Sequence, residues 1–187
     1  MKIKFTCIFS LIILFFSCHE QTNEHIQKFE NTLGERKTEA LNLMVFDFEK
    51  NLEKIYPNLT LQKAYEQYLK DIIDPKESNW DKFRFLSDKT LAEFKNSGLK
   101  KEIYNIELEY VEEKKDSLTT YYSNGIGKYM RALYEIKDHD TLIMDYFKRR
   151  EIGGLMPNKI FVKGILHSKP DFHNYFHKRI VVIEFTY

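Results

Sequence analysis

The sequence predicts a mainly α-helical protein, a compact array of short amphipathic helices with at most one small β-hairpin. Three observations predict it. Apolar residues recur at steps of three and four through most of the chain beyond residue 39. Capping residues stand where those stripes begin, and Gly or Pro where they stop. Only residues 106–122 hold stretches rich in strand formers with period-two alternation.

The first stripe is Leu41, Met44, Val45, Phe48, Leu52 and Ile55, with Asp47, Glu49, Lys50, Glu53 and Lys54 on its wet face and Pro57 after its end. Thr60 caps a second helix running through Ile73, whose stripe is Leu61, Ala64, Tyr65, Tyr68, Leu69 and Ile72. Ser78 and Ser87 open two short helices that carry Trp80, Phe83, Phe85, Leu86, Leu91 and Phe94, closed by Gly98. Ile106–Val111 and Leu118–Tyr122 then read as a small hairpin, followed by an Asn124-Gly125 turn with Gly127.

Helices resume with the stripe Tyr129, Leu133 and Ile136. Asp138 or Asp140 caps the next, which carries Leu142, Ile143, Tyr146, Phe147 and Arg150 and ends at Gly153-Gly154. Pro157 opens another, with Ile160, Phe161, Gly164 and Ile165 on its apolar side. The last segment admits two structures. Ile180-Val181-Val182-Ile183 is a β-branched run suited to a buried strand, whereas Asp171 as N-cap and the spacing Phe172, Phe176, Ile180, Ile183, Tyr187 favour a helix.

A chain of 187 residues, 43% hydrophobic and 30% charged, has the apolar surface to fold as one domain. Its 29 basic residues are balanced by 28 acidic ones, so nucleic acid is not an expected partner.

The N-terminus is the most informative part. Lys2 and Lys4 precede an uncharged, largely apolar run from Phe5 to Phe16, which ends at Ser17-Cys18 and the polar segment from His19 onward. A basic start, a short apolar core and a small residue at the break make a secretory signal. The run is shorter than the roughly 20 apolar residues of a bilayer span. The residues Leu14-Phe15-Phe16-Ser17-Cys18 resemble the lipobox of bacterial lipoproteins, with Phe15 where Leu is usual. The resemblance implies that Cys18 takes a diacylglyceryl group on sulfur and becomes the N-terminus after cleavage. It covers the first 20 or so residues only, as befits a signal. The expected organisation is a signal peptide over residues 1–17, a polar tether over 18–38, and one helical domain over 39–187. Cys7 lies in the signal, so the mature domain has no thiol chemistry and no disulfide. The expected location is the bacterial cell envelope, with the domain held outside the cytoplasm on a membrane.

Few residues suggest chemistry. His173 and His177 are four apart, which on a helix places two imidazoles on one face, and His167 is the third candidate metal ligand. Asn174 follows His173 where a zinc protease has its glutamate, so no metal site is expected. Glu107 and Glu109 would share one side of a strand, but solvated carboxylates there are the ordinary case. No phosphate loop or serine elbow occurs, so no catalytic residue and no cofactor is expected. Tyrosines such as Tyr121, Tyr122, Tyr129, Tyr134 and Tyr146 suit the margin of an amphipathic core, or stacking on a ligand if they surround a concavity. The expected function is therefore a lipid-anchored binding or interaction domain for an envelope protein or small ligand. The alternative is a metal-dependent hydrolase using His173 and His177.

Overall fold

The computed structural model describes residues 23–77, 79–111, 116–153 and 158–185. The expected signal peptide over residues 1–17, Cys18, Ser78, residues 112–115, Gly154, Pro157 and Tyr187 lie outside the described residues.

The chain folds as the helical array expected, with one hairpin. Helix α1 covers residues 23–33. It is followed by α2 (Glu35–Ile55), α3 (Leu61–Asp71), a 3-10 turn at Trp80–Phe83, α4 (Asp88–Asn96) and α5 (Leu99–Ile103). Strands β1 (Tyr104–Val111) and β2 (Asp116–Ser123) come next, then α6 (Lys128–Tyr134), a 3-10 turn at Lys137–His139, α7 (Thr141–Gly153), α8 (Asn158–His167) and α9 (Tyr175–Phe185).

Capping chemistry fixes the helix starts. Thr60 accepts from the Lys63 N–H and Ser87 from the Thr90 N–H, each satisfying one orphan donor of a first turn. Ser87 is itself held by α2, because Asp47 Oδ2 accepts from its N–H at 2.9 Å and its hydroxyl at 2.7 Å. Asp140 Oδ1 accepts from the Leu142 and Ile143 N–H groups and caps α7. Asn174, rather than the expected Asp171, caps α9 by accepting from Phe176 and His177.

The strands pair antiparallel, with Tyr104 opposite Ser123, Ile106 opposite Tyr121 and Val111 opposite Asp116. The Asn124 N–H closes the base of the hairpin on the Ile103 carbonyl at 2.6 Å. Gly127 packs so tightly there that an added Cβ would meet the Glu102 carbonyl oxygen at 1.9 Å.

The core forms between α2 and α9, which pack together with α3 and α4 on α2 and α7 on α9. Leu41, Met44, Phe48 and Leu52 of α2 are fully buried, as the stripe requires. Rings fill the space beside them: Phe48 lies 5.0 Å from Tyr68 and 4.5 Å from Phe85, while Tyr65 stacks on Phe172 at 4.4 Å. In α9 the β-branched run Ile180-Val181-Val182 is wholly buried. The last segment is therefore a helix, and one covered on every side at its centre.

The structure corrects one boundary. Residues 23–33 were expected within a polar tether, yet they form a helix whose Phe29 and Leu33 are completely buried. Phe29 meets Tyr129, Tyr175 and Phe176 edge to face at 5.6–6.1 Å. The folded domain thus includes residues 23–33 and does not start at Glu39. Ile26, Phe29 and Leu33 already show a spacing of three and four, and two large side chains suffice to seat a short helix.

Candidate functional site

Titratable side chains gather where α1, the second 3-10 turn, the start of α7 and the start of α9 meet. Asp140 precedes α7, and its carboxylate faces His177 Nε2 at 2.9 and 3.1 Å. On the other side of the imidazole, Nδ1 lies 3.0 Å from the Asp171 nitrogen and 3.1 Å from the Asp171 carbonyl. With a proton on Nε2 the ring donates to Asp140, while Nδ1 meets the Asp171 backbone, either accepting from its N–H or donating to its carbonyl, so both nitrogens are satisfied.

Burial pushes the Asp140 carboxyl upward. The His177 hydrogen bond and charge, with the Ile143 and Leu142 N–H groups, outweigh that and hold it below its ordinary value. The pair joins the N-terminal ends of α7 and α9. A general base needs a ring nitrogen free to face a substrate, and here the second nitrogen is spent on the backbone at Asp171.

Beside this pair, His25 of α1 stacks on His139 with ring centroids 4.3 Å apart. Burial first, and then the His139 charge, lower the pKa of His25 against the pull of Glu24. A cavity of about 90 Å³ lies between the stacked rings, Asp140, Asn174 and Phe176. It has room for a few water molecules, not for an organic substrate.

The three histidines singled out in the sequence do not come together. Helix α9 begins at Tyr175, so His173 sits in the turn before it and shares no helical face with His177. His173 and His167 are exposed, whereas His177 is buried against Asp140. Among the described residues no group of three or more His, Cys, Asp or Glu side chains is placed to hold a metal ion. His25 and His139 were not singled out; they are distant in sequence, and only the docking of α1 joins them.

A second polar cluster is internal. Arg150 of α7 is ion-paired with Glu184 of α9, and Glu184 also accepts from the Tyr146 hydroxyl at 2.6 Å. Arg179 is buried beneath Tyr175, with its guanidinium carbon 3.3 Å from the ring centroid. Its amino groups donate to the Tyr175 carbonyl and the Asn42 side chain. Burial lowers its pKa, while Tyr175 and Glu30 work in the opposite direction. The tyrosines divide accordingly: Tyr65, Tyr68, Tyr129 and Tyr146 belong to the core, and Tyr121 and Tyr134 are exposed on separate elements.

Compared with protein-family models, with curated proteins and with solved structures, the chain matches none.

Proposed function

We propose that the protein is a lipid-anchored cell-envelope protein whose helical domain works by binding an envelope protein or a small ligand. The observation that carries the reading is the sequence Leu14-Phe15-Phe16-Ser17-Cys18 behind a basic start and an apolar run. Its consequence for the domain is geometric. Four residues, 19–22, lie between Cys18 and the described start of α1 at residue 23, so the reach from Cys18 to the helix is at most roughly 17 Å at full extension. Acyl chains on Cys18 would therefore hold the domain at the bilayer surface. Each buried methylene contributes about 0.8 kcal/mol, and two or more chains make such an anchor lasting. Among the described residues no helix is long and apolar enough to cross a membrane.

Binding is favoured over hydrolysis by the state of the His177–Asp140 pair, because Nε2 ties α9 to the start of α7 and Nδ1 is held by the Asp171 backbone. The test is expression in a bacterial host with detergent phase partitioning and mass analysis of the N-terminal peptide. A diacylglyceryl-modified Cys18 and a detergent-phase protein are expected. Cys18→Ala should give an unprocessed or soluble exported form. A variant that partitions like the parent would refute the anchor.

A further inference from the structure

Helices α1 and α2 are a single rod interrupted at one residue. The Gly34 N–H completes the α1 ladder on the Glu30 carbonyl at 2.8 Å, and the Gly34 carbonyl starts the α2 ladder by accepting from Lys37 at 3.1 Å and Thr38 at 3.0 Å. Only the Gly34 torsions, φ 92° and ψ 144°, leave the helical region. No atom lies within 4 Å of where its Cβ would stand, so a side chain at the hinge would meet no neighbour, and the break is held by the docking of α1 alone. Turning those two torsions to helical values joins residues 23–55 into a helix about 50 Å long.

That motion lifts α1 from a well-defined seat. Phe29 leaves the rings of Tyr129, Tyr175 and Phe176, Glu30 leaves the Tyr175 hydroxyl at 2.7 Å, and Thr32 leaves the Glu135 carboxylate at 3.1 Å. The vacated seat fits a helix that presents a phenylalanine and, one turn on, a leucine, with a carboxylate beside the phenylalanine. This chain carries that helix.

We propose that α1 is an exchangeable arm. The α1 of a second copy fills the seat, and two chains swap arms reciprocally about Gly34. Every contact that closes the seat within one chain re-forms between two, so the two states differ only in the hinge torsions and in the freedom lost on association. Copies confined to one surface lose less of that freedom. The inference is independent of the lipid anchor, since the arm, hinge and seat all lie within the described residues.

The test uses the chain from residue 18 with Cys18→Ser, which has no other thiol. Copies carrying only Thr32→Cys are mixed with copies carrying only Glu135→Cys and treated with a short bis-maleimide. A chain carrying both cysteines, which cross-links internally, calibrates the reach. Exchange predicts a covalent heterodimer whose yield rises with concentration. It also predicts a dimer by light scattering and a yield at least about tenfold lower from Asn31→Cys, at an exposed position on the same arm. Gly34→Ala should raise the exchanged fraction by about tenfold or more, because a Cβ is strained at the closed torsions and unstrained in the joined helix. Mixing the parent-hinge copies in urea and refolding them together provides a second route that does not depend on the Gly34 variant. The proposal is overturned if the mixed copies yield no heterodimer after co-refolding while the double-cysteine chain cross-links, or if Asn31→Cys gives the same yield as Thr32→Cys.

Discussion

The Tyr175 hydroxyl donates to Glu30 Oε1 at 2.7 Å, bridging the first helix to the last. The face of the same ring carries the Arg179 guanidinium, and Glu30 acts on that cation as a favourable charge. An interior cation is costly without compensation. Here an aromatic face, two hydrogen bonds and the field of a carboxylate share the task, so α1 neutralises as well as covers the core.

Arg179→Met should accordingly leave stability within about 2 kcal/mol of the parent or raise it, since a buried charge replaced by an apolar chain of similar length often costs nothing. The Arg179 Nε has no hydrogen-bond partner in any case. Arg179→Ala leaves a cavity as well and should destabilise by about 2–4 kcal/mol. Urea titrations of both variants decide the matter. A Met variant as unstable as the Ala variant would mean that the charge itself holds the fold.

Phe29→Ala should cost about 3–5 kcal/mol, the range for a buried phenylalanine, because the side chain is wholly enclosed. Removing residues 19–33 should cost more, since Leu33 leaves with it and Arg179 loses Glu30. Thermal melts of both variants against the parent check this. A melting temperature unchanged by either deletion or substitution would return residues 23–33 to the role of a tether.

How much of this was legible follows from how each element is buried. Helices α2, α3 and α4 each have one wet face, so their stripes and the caps Thr60 and Ser87 stand out in the sequence. Helix α9 has lost that contrast, because Ile180, Val181 and Val182 are all enclosed and the same letters suit a buried strand. Helix α1 fails in the opposite sense: its composition is polar, and although Ile26, Phe29 and Leu33 keep helical spacing, the sequence does not reveal the aromatic seat that Phe29 enters. The hairpin was legible from Ile106 to Val111 by alternation alone. The pairing of His177 with Asp140 was not, since α7 and α9 meet through packing that no local spacing encodes.

Gly127→Ala should destabilise by about 2 kcal/mol or more. The new Cβ would sit 1.9 Å from a backbone oxygen, and α5 and the hairpin base must part to admit it. Amide exchange should show the loss concentrated in residues 99–131, whereas Gly125→Ala, with open space around it, serves as the control. Equal effects of the two substitutions would refute the close approach.

Acid should weaken the domain in two steps. The folded state lowers the His25 pKa below 6.5, so the unfolded chain binds the proton more readily and stability declines as pH falls through 6.5. The Asp140 carboxyl is also lowered, below 3.8, so its contribution is present above that value and is lost as pH falls further. Melting temperatures from pH 8 to 3 should show both declines. His25→Gln should remove part of the first and leave the second, while Asp140→Asn should reduce the second, to which Asp47 and Glu66 also contribute. A profile identical in all three proteins would sink the assignment.

Truncation after Lys178 should unfold the whole domain, for reasons of both packing and polarity. It removes Ile180, Val181, Val182 and Ile183, each enclosed by other helices. At about 25 cal/mol per Å², a fully buried aliphatic side chain contributes roughly 1.5–3 kcal/mol. Four together rival the net stability of about 5–15 kcal/mol typical of a domain. The same cut removes three acceptors, because the hydroxyls of Tyr68, Tyr104 and Tyr146 donate to the Phe185 carbonyl, the Ile183 carbonyl and the Glu184 carboxylate. Tyr68 would then carry an interior hydroxyl without its partner, at a cost of about 1–3 kcal/mol, and Tyr146 would be left with the weak Met130 sulfur and Arg150 in place of the carboxylate. Circular dichroism of the truncated chain should show lost helix and no cooperative melt. Removing only Thr186 and Tyr187 should leave the transition in place. A truncated chain that melts cooperatively near the parent temperature would show that α9 contributes little to the core.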